Sequence, residues 1–380
     1  MVKRTLALSE DLDVRVAAPP AVLARLELFV PLRRPGRRPR QRQVVNLDLA
    51  VDTPRARQLL DQLTTGRQLV QPPSTGRPAG RVPVCWPPAA TGGTQLLRLA
   101  DITDEQHVIE IDAGGSDLLV TCLASGPETL TVLGLRTLTQ LQVEAARQQG
   151  GMSVFGAAVH LAVGVVLVAG LPGAGKLQLA YRLAHQYGAG LVGSCRQVLV
   201  SKGADWWVRG LPLAWRLDPR TTGTIPHAMR RLREVAPAAG RALTLGRSQR
   251  LPAAEAAEVF STQVVPSGPL AGIVVARRSD LSGPRWSHLL TAQRPPVLRA
   301  TCLRPTPPDL DWSGPDPTGA DRCLELARQV PMYAAAWNKW EQLAEIAERI
   351  HGTFTAPTEP ETAGQGHEGE GSDHAEALTP

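Results

Sequence analysis

The stretch "GLPGAGKLQL", residues 170–179, has the residue types and spacing of a phosphate-binding loop, with Gly170 followed after four residues by Gly175 and Lys176. Glycines let backbone N–H groups surround phosphate oxygens at the positive end of the following helix, and the lysine reaches the β- and γ-phosphates. The next residue is normally Ser or Thr, whose hydroxyl helps to hold Mg²⁺, but here it is Leu177. The candidate nucleotide-binding residues are Gly170, Gly173, Ala174, Gly175, Lys176 and Leu177.

The lysine itself is informative because lysine is rare in this chain. Only four of the 41 basic residues are Lys, at positions 3, 176, 202 and 339, and the other 37 are Arg. A compact ammonium and a planar guanidinium are not interchangeable in a tight phosphate cradle. The choice of Lys at position 176 therefore favours a genuine phosphate loop, with ATP as the expected ligand, over a plain strand–helix turn.

Carboxylates are missing where phosphoryl-transfer chemistry needs them. No Asp or Glu occurs between Glu144 and Asp205, whereas an ATPase or kinase uses a carboxylate to hold Mg²⁺ or to accept the proton of the attacking hydroxyl. The sequence therefore assigns no catalytic residue and no metal ligand and leaves Mg²⁺ binding undecided. Carboxylates from elsewhere in the chain are open alternatives, namely Asp205, Asp218 and Asp280.

The elements around the loop have the order that a phosphate loop requires. "GVVLVA" is typical of a buried parallel strand, and "KLQLAYRLAHQYG" predicts a helix that ends at Gly188. "GLVGS", "QVLVS", "WWVRG", "LAWRLD" and "LAGIVVARR" predict further strands. Near the C-terminus, "AAAWNKWEQLAEIAERIHG" predicts a helix closed by Gly352, with an apolar packing stripe at helical spacing. The stripe consists of Trp337, Trp340, Leu343, Ala344, Ala347 and Ile350.

The sequence divides into four parts with an α/β (or α+β) domain at its centre. Residues 1–125 are expected to form a β-rich N-terminal domain, in which "VVNLDLAVD" alternates like a half-buried strand and "HVIEIDAGGSDLLVTCL" predicts a hairpin at Gly114-Gly115. "ETLTVLGLRTLTQLQVEAARQQGG" predicts a helix. Residues 126–300 are expected to form the phosphate-loop domain, 301–352 a C-terminal helical segment, and 353–380 a disordered acidic tail.

Charge and cysteine content limit the function classes. The formal net charge is +6, and the tail holds six acids and no Lys or Arg, which leaves +12 on the rest of the chain. A basic body fits anionic partners such as nucleotides, but basic residues without interleaved aromatics argue against nucleic acid. Five scattered cysteines without a metal-ligand spacing, and an N-terminus unlike a signal peptide, predict a cytoplasmic protein. The apolar stretch 154–175 is interpreted as buried strands, so no membrane partner is expected.

Two basic segments are left without an assigned role. "RRPGRRPRQR" carries six Arg between Arg33 and Arg42, and "HAMRRLREVAPAAGRALTLGRSQR" places His227, Arg230 and Arg233 on one helix face. Either segment would suit a phosphorylated partner. For both segments the favoured explanation is a solvated loop or a solvated helix face without a specific partner.

The segment "MSVFGAAVHLAVGVVLVAGLPGAGKLQLAYRLAHQYGAGLVGSCRQVLV", followed by "WWVRGLPLAWRLD", resembles the catalytic domain of the HPr kinase/phosphorylase family. The resemblance covers roughly residues 150–280 and implies a P-loop fold that uses ATP to phosphorylate a serine or a small molecule. The glycines, Lys176 and Gly210-Leu211-Pro212 match the family pattern. Three positions depart from it: Phe155 replaces a His, Leu177 the metal-binding hydroxyl, and Cys195 an acid.

Each of these departures removes metal or proton chemistry and keeps the phosphate cradle. One hypothesis is an active ATP-dependent kinase that takes a carboxylate from elsewhere and acts on a protein or small-molecule hydroxyl. The other is a catalytically inactive, pseudokinase-type scaffold or nucleotide sensor that works with a partner protein. The sequence leaves the acceptor and the oligomeric state open.

Overall fold

The computed structural model describes residues 1–8, 12–30, 43–65, 94–97, 107–112, 118–211, 213–219, 225–280, 282–301 and 319–355. Within these ranges the chain is a mixed α/β protein built on a six-stranded sheet, a nine-stranded sheet and a two-stranded sheet, which confirms the mixed class predicted from the sequence. Several sequence predictions lie outside the described residues. They concern the Arg33–Arg42 loop, the Pro-rich segment 70–93, the Gly114-Gly115 turn, Pro212 and the acidic tail after residue 355.

The N-terminal sheet has the strand order β1-β2-β3-β6-β5-β4, in which β2, β3 and β6 are parallel and the outer strands are antiparallel. Its strands are β1 (Val2–Ala7), β2 (Leu12–Ala18), β3 (Gln43–Val51), β4 (Thr94–Leu97), β5 (Val108–Asp112) and β6 (Leu118–Ala124). Its helices are α1 (Pro20–Phe29), α2 (Thr53–Thr65) and α3 (Pro127–Gln148). The predicted strand at 45–51, the β5–β6 antiparallel pair and the helix after residue 127 are confirmed.

Successive side chains of each strand point to opposite faces of this sheet, and different helices cover the two faces. Val45, Leu47 and Leu49 are buried in the core that α1 and α3 complete, while Leu123 and Val108 face Ala56 of α2. Helices α1 and α2 were not predicted from the sequence. For α2 the sequence does contain a local signal, which is an N-cap residue just before the helix. The Asp52 carboxylate accepts a hydrogen bond from the backbone N–H of Arg55 at 3.0 Å.

The nine-stranded sheet has the order β10-β8-β9-β15-β12-β11-β7, and β17 and β16 extend it beyond the C-terminal half of β15. Its strands are β7 (Met152–Phe155), β8 (Ala157–Leu161), β9 (Gly164–Gly170), β10 (Gly190–Gly193), β11 (Arg196–Lys202), β12 (Asp205–Gly210), β15 (Ser267–Arg278), β16 (Arg285–His288) and β17 (Met332–Trp337). A separate pair is formed by β13 (Trp215–Leu217) and β14 (Gln249–Leu251). The helices are α4 (Lys176–Tyr187), α5 (Pro226–Val235), α6 (Pro237–Thr244), α7 (Ala253–Val259), α8 (Arg294–Thr301), α9 (Gly319–Gln329) and α10 (Leu343–Thr353).

Strand β9 is apolar at every position because both faces of the sheet are covered. Val166 and Val168 lie in the core that α4 and α10 complete, and Val165 and Leu167 lie in the opposite core with α8 and α9. β9 pairs in parallel with β15, which pairs in parallel with β17. This is the arrangement that a continuous apolar run predicts.

The apolar stretch before the glycine loop is therefore strand and not membrane span, as the sequence predicted. None of the helices in the described ranges is both long and apolar enough to cross a bilayer.

The helix predicted from residue 334 is wrong in its first part. Residues 332–337 form β17, and the α-helix begins only at Leu343 and runs to Thr353. Alanines favour a helix locally, but here Ala335 and Trp337 are fully buried and hydrogen-bonded beside β15. Long-range pairing has overridden local propensity.

Candidate functional site

The loop between β9 and α4 is shaped by its glycines. Gly170 (φ 140°), Gly173 (φ 82°) and Gly175 (φ 88°) all have positive φ, which L-residues with a side chain rarely adopt. At Gly170 a Cβ would also meet the carbonyl oxygen of Ala276. Gly175 is the N-cap of α4, and no side chain caps the helix, so the positive end of the helix dipole lies at the loop.

The side chain of Lys176 folds back over this loop. Its Nζ donates to the carbonyl oxygen of Gly170 at 2.9 Å and to that of Leu171 at 2.8 Å. The ammonium group therefore lies across the loop, next to the first turn of α4. Leu177 points elsewhere, because it packs half-buried against the core beneath α4.

Three parallel strands end at the edge of the sheet where the loop lies. In the register, Gly170 pairs with Ala276 of β15, and Ala276 pairs with Ala335 of β17. Open α/β sheets bind ligands beyond the carboxyl ends of such strands. The residues at this edge are Arg277 and Arg278 at the end of β15, Asp280 just after it, Trp337 at the end of β17, and Asn338, Lys339 and Trp340 just after that strand.

Two tryptophans form a wall against the loop. A Cβ on Gly175 would lie 2.9 Å from Cζ2 of Trp337 and 3.1 Å from Cζ3 of Trp340. The guanidinium of Arg278 lies 4.5 Å from the centroid of the Trp340 ring, in a cation–π contact. The predicted packing role is confirmed, because Trp337 is buried in the core and Trp340 packs against it. Their position beside the loop was not predicted from the sequence.

Lys339 was missed as well, although the sequence contained a signal for it. It is one of only four lysines, and it lies at the same sheet edge as Lys176. The rarity that singled out Lys176 applies equally to Lys339.

Cys195, between β10 and β11, lies within electrostatic reach of the loop. Desolvation raises the pKa of its thiol although the residue is exposed at the surface, and the positive charges of Lys176, Arg196 and Arg250 oppose that rise. Phe155 lies beside it, because Phe155 pairs with Arg196 across β7 and β11 and the Arg196 guanidinium is 5.8 Å from its ring. The structure thus brings Cys195 and Phe155 together with each other, and Cys195 within electrostatic reach of Lys176 in the loop.

Of the three alternative carboxylates, Asp218 is the one that contacts α4. Its Oδ2 accepts a hydrogen bond from Nε2 of Gln178, in the first turn of α4, at 3.0 Å. Asp280 follows β15 at the loop edge and is exposed. Asp205 begins β12, whose Trp207 pairs with Pro269 near the start of β15, so the structure does not bring Asp205 to the loop. Among the described residues no group of three or more His, Cys, Asp or Glu side chains could hold a metal ion.

A cationic cluster lies further along α4. Arg230 of α5 contacts Nδ1 of His227 at 2.8 Å, and the rings of His227 and His185 stack at 5.9 Å. Desolvation, His227 and Arg182 together lower the pKa of His185. The predicted His227–Arg230 face therefore exists, and it faces α4 rather than the loop itself.

The described residues also line an open cavity of about 250 Å³ at the opposite end of α4, with His160, Tyr187 and His351 among its lining residues. It lies beyond Gly188, where α4 ends, whereas the loop precedes Lys176, where α4 begins. The cavity and the glycine loop are separate features of the surface.

Comparison with protein-family models found no match, and comparison with curated proteins found no similar sequence. Among solved structures, the chain is similar to the HPr(Ser) kinase/phosphatase from Coxiella burnetii, with 9% sequence identity and a TM-score of 0.27. The similar part covers 53% of this chain and 95% of that one.

Proposed function

We propose that this chain binds ATP, or a closely related nucleotide, at the loop formed by Gly170, Gly173, Ala174, Gly175, Lys176 and Leu177. The observation that carries the proposal is the position of Lys176, whose ammonium lies across a loop of three positive-φ glycines at the uncapped start of α4. A backbone loop at a helix N-terminus with one lysine is suited to phosphate.

Binding would follow from an exchange of partners at the lysine. Lys176 now donates to two carbonyl oxygens of its own loop. Phosphate oxygens are charged and form stronger hydrogen bonds with an ammonium than neutral carbonyls do. The β9–loop–α4 unit would then act as a P-loop, as the sequence resemblance to the HPr kinase/phosphorylase family implies.

Phosphate transfer to a hydroxyl acceptor would need more than this loop. Mg²⁺ prefers oxygen ligands, and Leu177 offers none. Asp218 supplies a carboxylate beside Gln178, two residues beyond Lys176. If the chain is an active ATP-dependent kinase acting on a protein or small-molecule hydroxyl, Asp218 is the candidate to handle the metal or the proton.

A second candidate function is a nucleotide-binding scaffold or sensor without transfer activity, acting with a partner protein. The observation that favours it is the chemistry of the altered positions. Leu177 is packed into the core, and Cys195 stands where the family pattern has an acid. Desolvation raises the pKa of its thiol and so favours the neutral form, which binds a cation less well than a carboxylate does.

Calorimetric titration with ATP, in the presence and absence of Mg²⁺, tests the proposal. Wild type should bind ATP, and Lys176→Ala should weaken binding about 10- to 100-fold, because a charge-assisted contact to phosphate is worth roughly 1.5–3 kcal/mol. Lys202→Ala is the matched control, because Lys202 contacts the Trp207 ring at 4.2 Å on the β11–β12 hairpin. Equal losses in both variants, or none in either, would contradict the assigned site.

The Mg²⁺ dependence then separates the two functions. Stronger ATP binding with Mg²⁺ supports the kinase, and turnover should then fall in Asp218→Asn. Binding that is indifferent to Mg²⁺ supports the scaffold or sensor.

A further inference from the structure

The wall opposite the glycine loop is built of Trp337, Trp340 and Arg278, and we call it the aromatic wall. Trp337 ends β17, Arg278 ends the neighbouring β15, and Trp340 follows three residues after Trp337. Both tryptophan rings lie against Gly175, the residue that immediately precedes Lys176. The aromatic wall and the glycine loop therefore lie next to each other at the same edge of the sheet.

The aromatic wall contains a buried donor that has no hydrogen-bond partner in the described part of the chain. Trp337 is 0% exposed, and its Nε1 has no hydrogen-bond partner among the described residues. The Nε1 and Cζ2 atoms are bonded to the same ring carbon, and Cζ2 is the atom nearest the Cβ position of Gly175. The unpaired N–H therefore lies on the edge of the indole that faces the loop.

Unpaired buried donors are rare and costly, so each one calls for an explanation. The paired case is present in the same sheet, where Trp206 donates its Nε1–H to Oε1 of Gln329 at 2.7 Å. A ligand acceptor at the loop would give Trp337 the partner that Trp206 already has.

Trp340 supplies the complementary feature, which is a half-buried aromatic surface at the loop. The guanidinium of Arg278 already lies against its ring. Nucleobases stack on aromatic rings and on guanidinium planes, whereas a phosphorylated metabolite without a ring would gain nothing from this wall.

We propose that the aromatic wall is a nucleobase subsite, with Trp340 and Arg278 as the stacking platform and the Trp337 N–H as a donor to the ring edge of the base. The ligand of the loop is then a nucleoside phosphate and not a simple phosphorylated metabolite. This inference rests on the proposed function, because the phosphate tail of the same ligand would occupy the glycine loop.

The experiment compares ATP with inorganic tripolyphosphate, which has the phosphate chain and no base, by calorimetry on the full chain. Wild type should bind ATP at least about tenfold more tightly than tripolyphosphate. Trp340→Leu should weaken ATP binding about 5- to 100-fold and leave tripolyphosphate binding within about twofold, as expected for loss of one base–aromatic stack. Trp340→Phe, which keeps a ring, should retain most of the ATP affinity.

Trp207→Leu is the matched control. Trp207 is also half-buried and also bears a cation–π contact, from Lys202, but it lies on the β11–β12 hairpin. Trp207→Leu should change neither affinity. If Trp340→Leu does not fold, the fluorescence of wild type and Trp340→Phe decides the question: ATP should quench Trp340 emission, and tripolyphosphate should not.

Two results would overturn the inference and leave the proposed function intact: equal affinity of wild type for ATP and tripolyphosphate, or Lys176-dependent ATP binding that survives Trp340→Leu unchanged. If wild type binds neither ligand, or if Lys176→Ala binds as wild type does, the proposed function fails and the base subsite fails with it.

Discussion

The glycine loop and the turn between β10 and β11 both lie within electrostatic reach of Lys176, and they differ in how closely they match the pattern of the HPr kinase/phosphorylase family that the sequence resembles. The loop depends on backbone conformation, which the glycines and their positive φ angles provide. The turn would depend on side-chain chemistry, and there the sequence has Cys195 where the resemblance implies an acid, and Phe155 beside it where the resemblance implies a histidine.

This difference separates two tasks that phosphoryl-transfer sites usually combine. Phosphate is held by N–H groups and one ammonium, which need geometry more than any particular side chain. Metal and proton handling need oxygen or imidazole groups at fixed points. Under the proposed function the loop serves the first task, whereas Leu177 and Cys195 offer neither an oxygen nor an imidazole for the second.

The largest expected effect is on the free energy of unfolding, at Gly170, where the backbone of the loop is most constrained. Gly170→Ala should lower the free energy of unfolding by at least about 3 kcal/mol, because φ 140° excludes a side chain and the new Cβ would meet the Ala276 carbonyl. Gly173→Ala is the matched control, with open space around its Cβ position, and should cost about 1 kcal/mol from its positive φ alone. Urea unfolding of both variants measures the difference. Equal losses would mean that the close approach at Gly170 does not shape the loop.

How far the sequence predicts this region depends on how local each signal is. The sequence predicted where strand β9, the loop and helix α4 begin and end. The signals are local, because the apolar run, the loop glycines and Gly188, which ends the helix, lie within 25 residues of one another. Strand β17 was not predicted, because its pairing with β15 joins residues about 60 positions apart in the chain. The aromatic wall was missed with it.

The supporting carboxylates illustrate the same limit. Asp205, Asp218 and Asp280 were equivalent in the sequence, since none follows the loop directly. Only the fold separates them, by bringing Asp218 to Gln178 and leaving Asp205 near the start of β15. The proposed assignment of the loop residues themselves depended on a local pattern that needed no fold.

An intermediate effect, on the Mg²⁺ dependence of ATP binding, should come from introducing oxygen ligands at positions 177 and 195. In the double variant Leu177→Thr/Cys195→Asp, Mg²⁺ should strengthen ATP binding about tenfold, which corresponds to about 1.4 kcal/mol. Leu177→Val/Cys195→Asn has similar volumes without the hydroxyl and the carboxylate, and should show no such gain. Calorimetry with and without Mg²⁺ measures both. A double variant that is as indifferent to the metal as its control would show that the two regions no longer meet at a metal position.

The smallest effect, and the most direct link between the two regions, concerns the Cys195 thiol. Desolvation raises its pKa, and Lys176 opposes that rise. The thiolate is the reactive form, so alkylation at neutral pH should be slower than that of a free thiol, and its rate should climb with pH into the alkaline range. In Lys176→Ala the opposing charge is lost, the pKa rises further, and the rate at neutral pH should fall about two- to threefold for a surface-screened charge.

The measurement uses iodoacetamide on a Cys85→Ser/Cys302→Ser background, because Cys122 and Cys323 are buried in the described structure and residues 85 and 302 lie outside it. Lys202→Ala serves again as the control and should leave the rate unchanged. The pH profile excludes a steric explanation, because a change in access alone would scale the rate equally at every pH. A profile in Lys176→Ala that is not displaced towards higher pH would separate Cys195 from the loop and leave the turn with no electrostatic connection to the phosphate site.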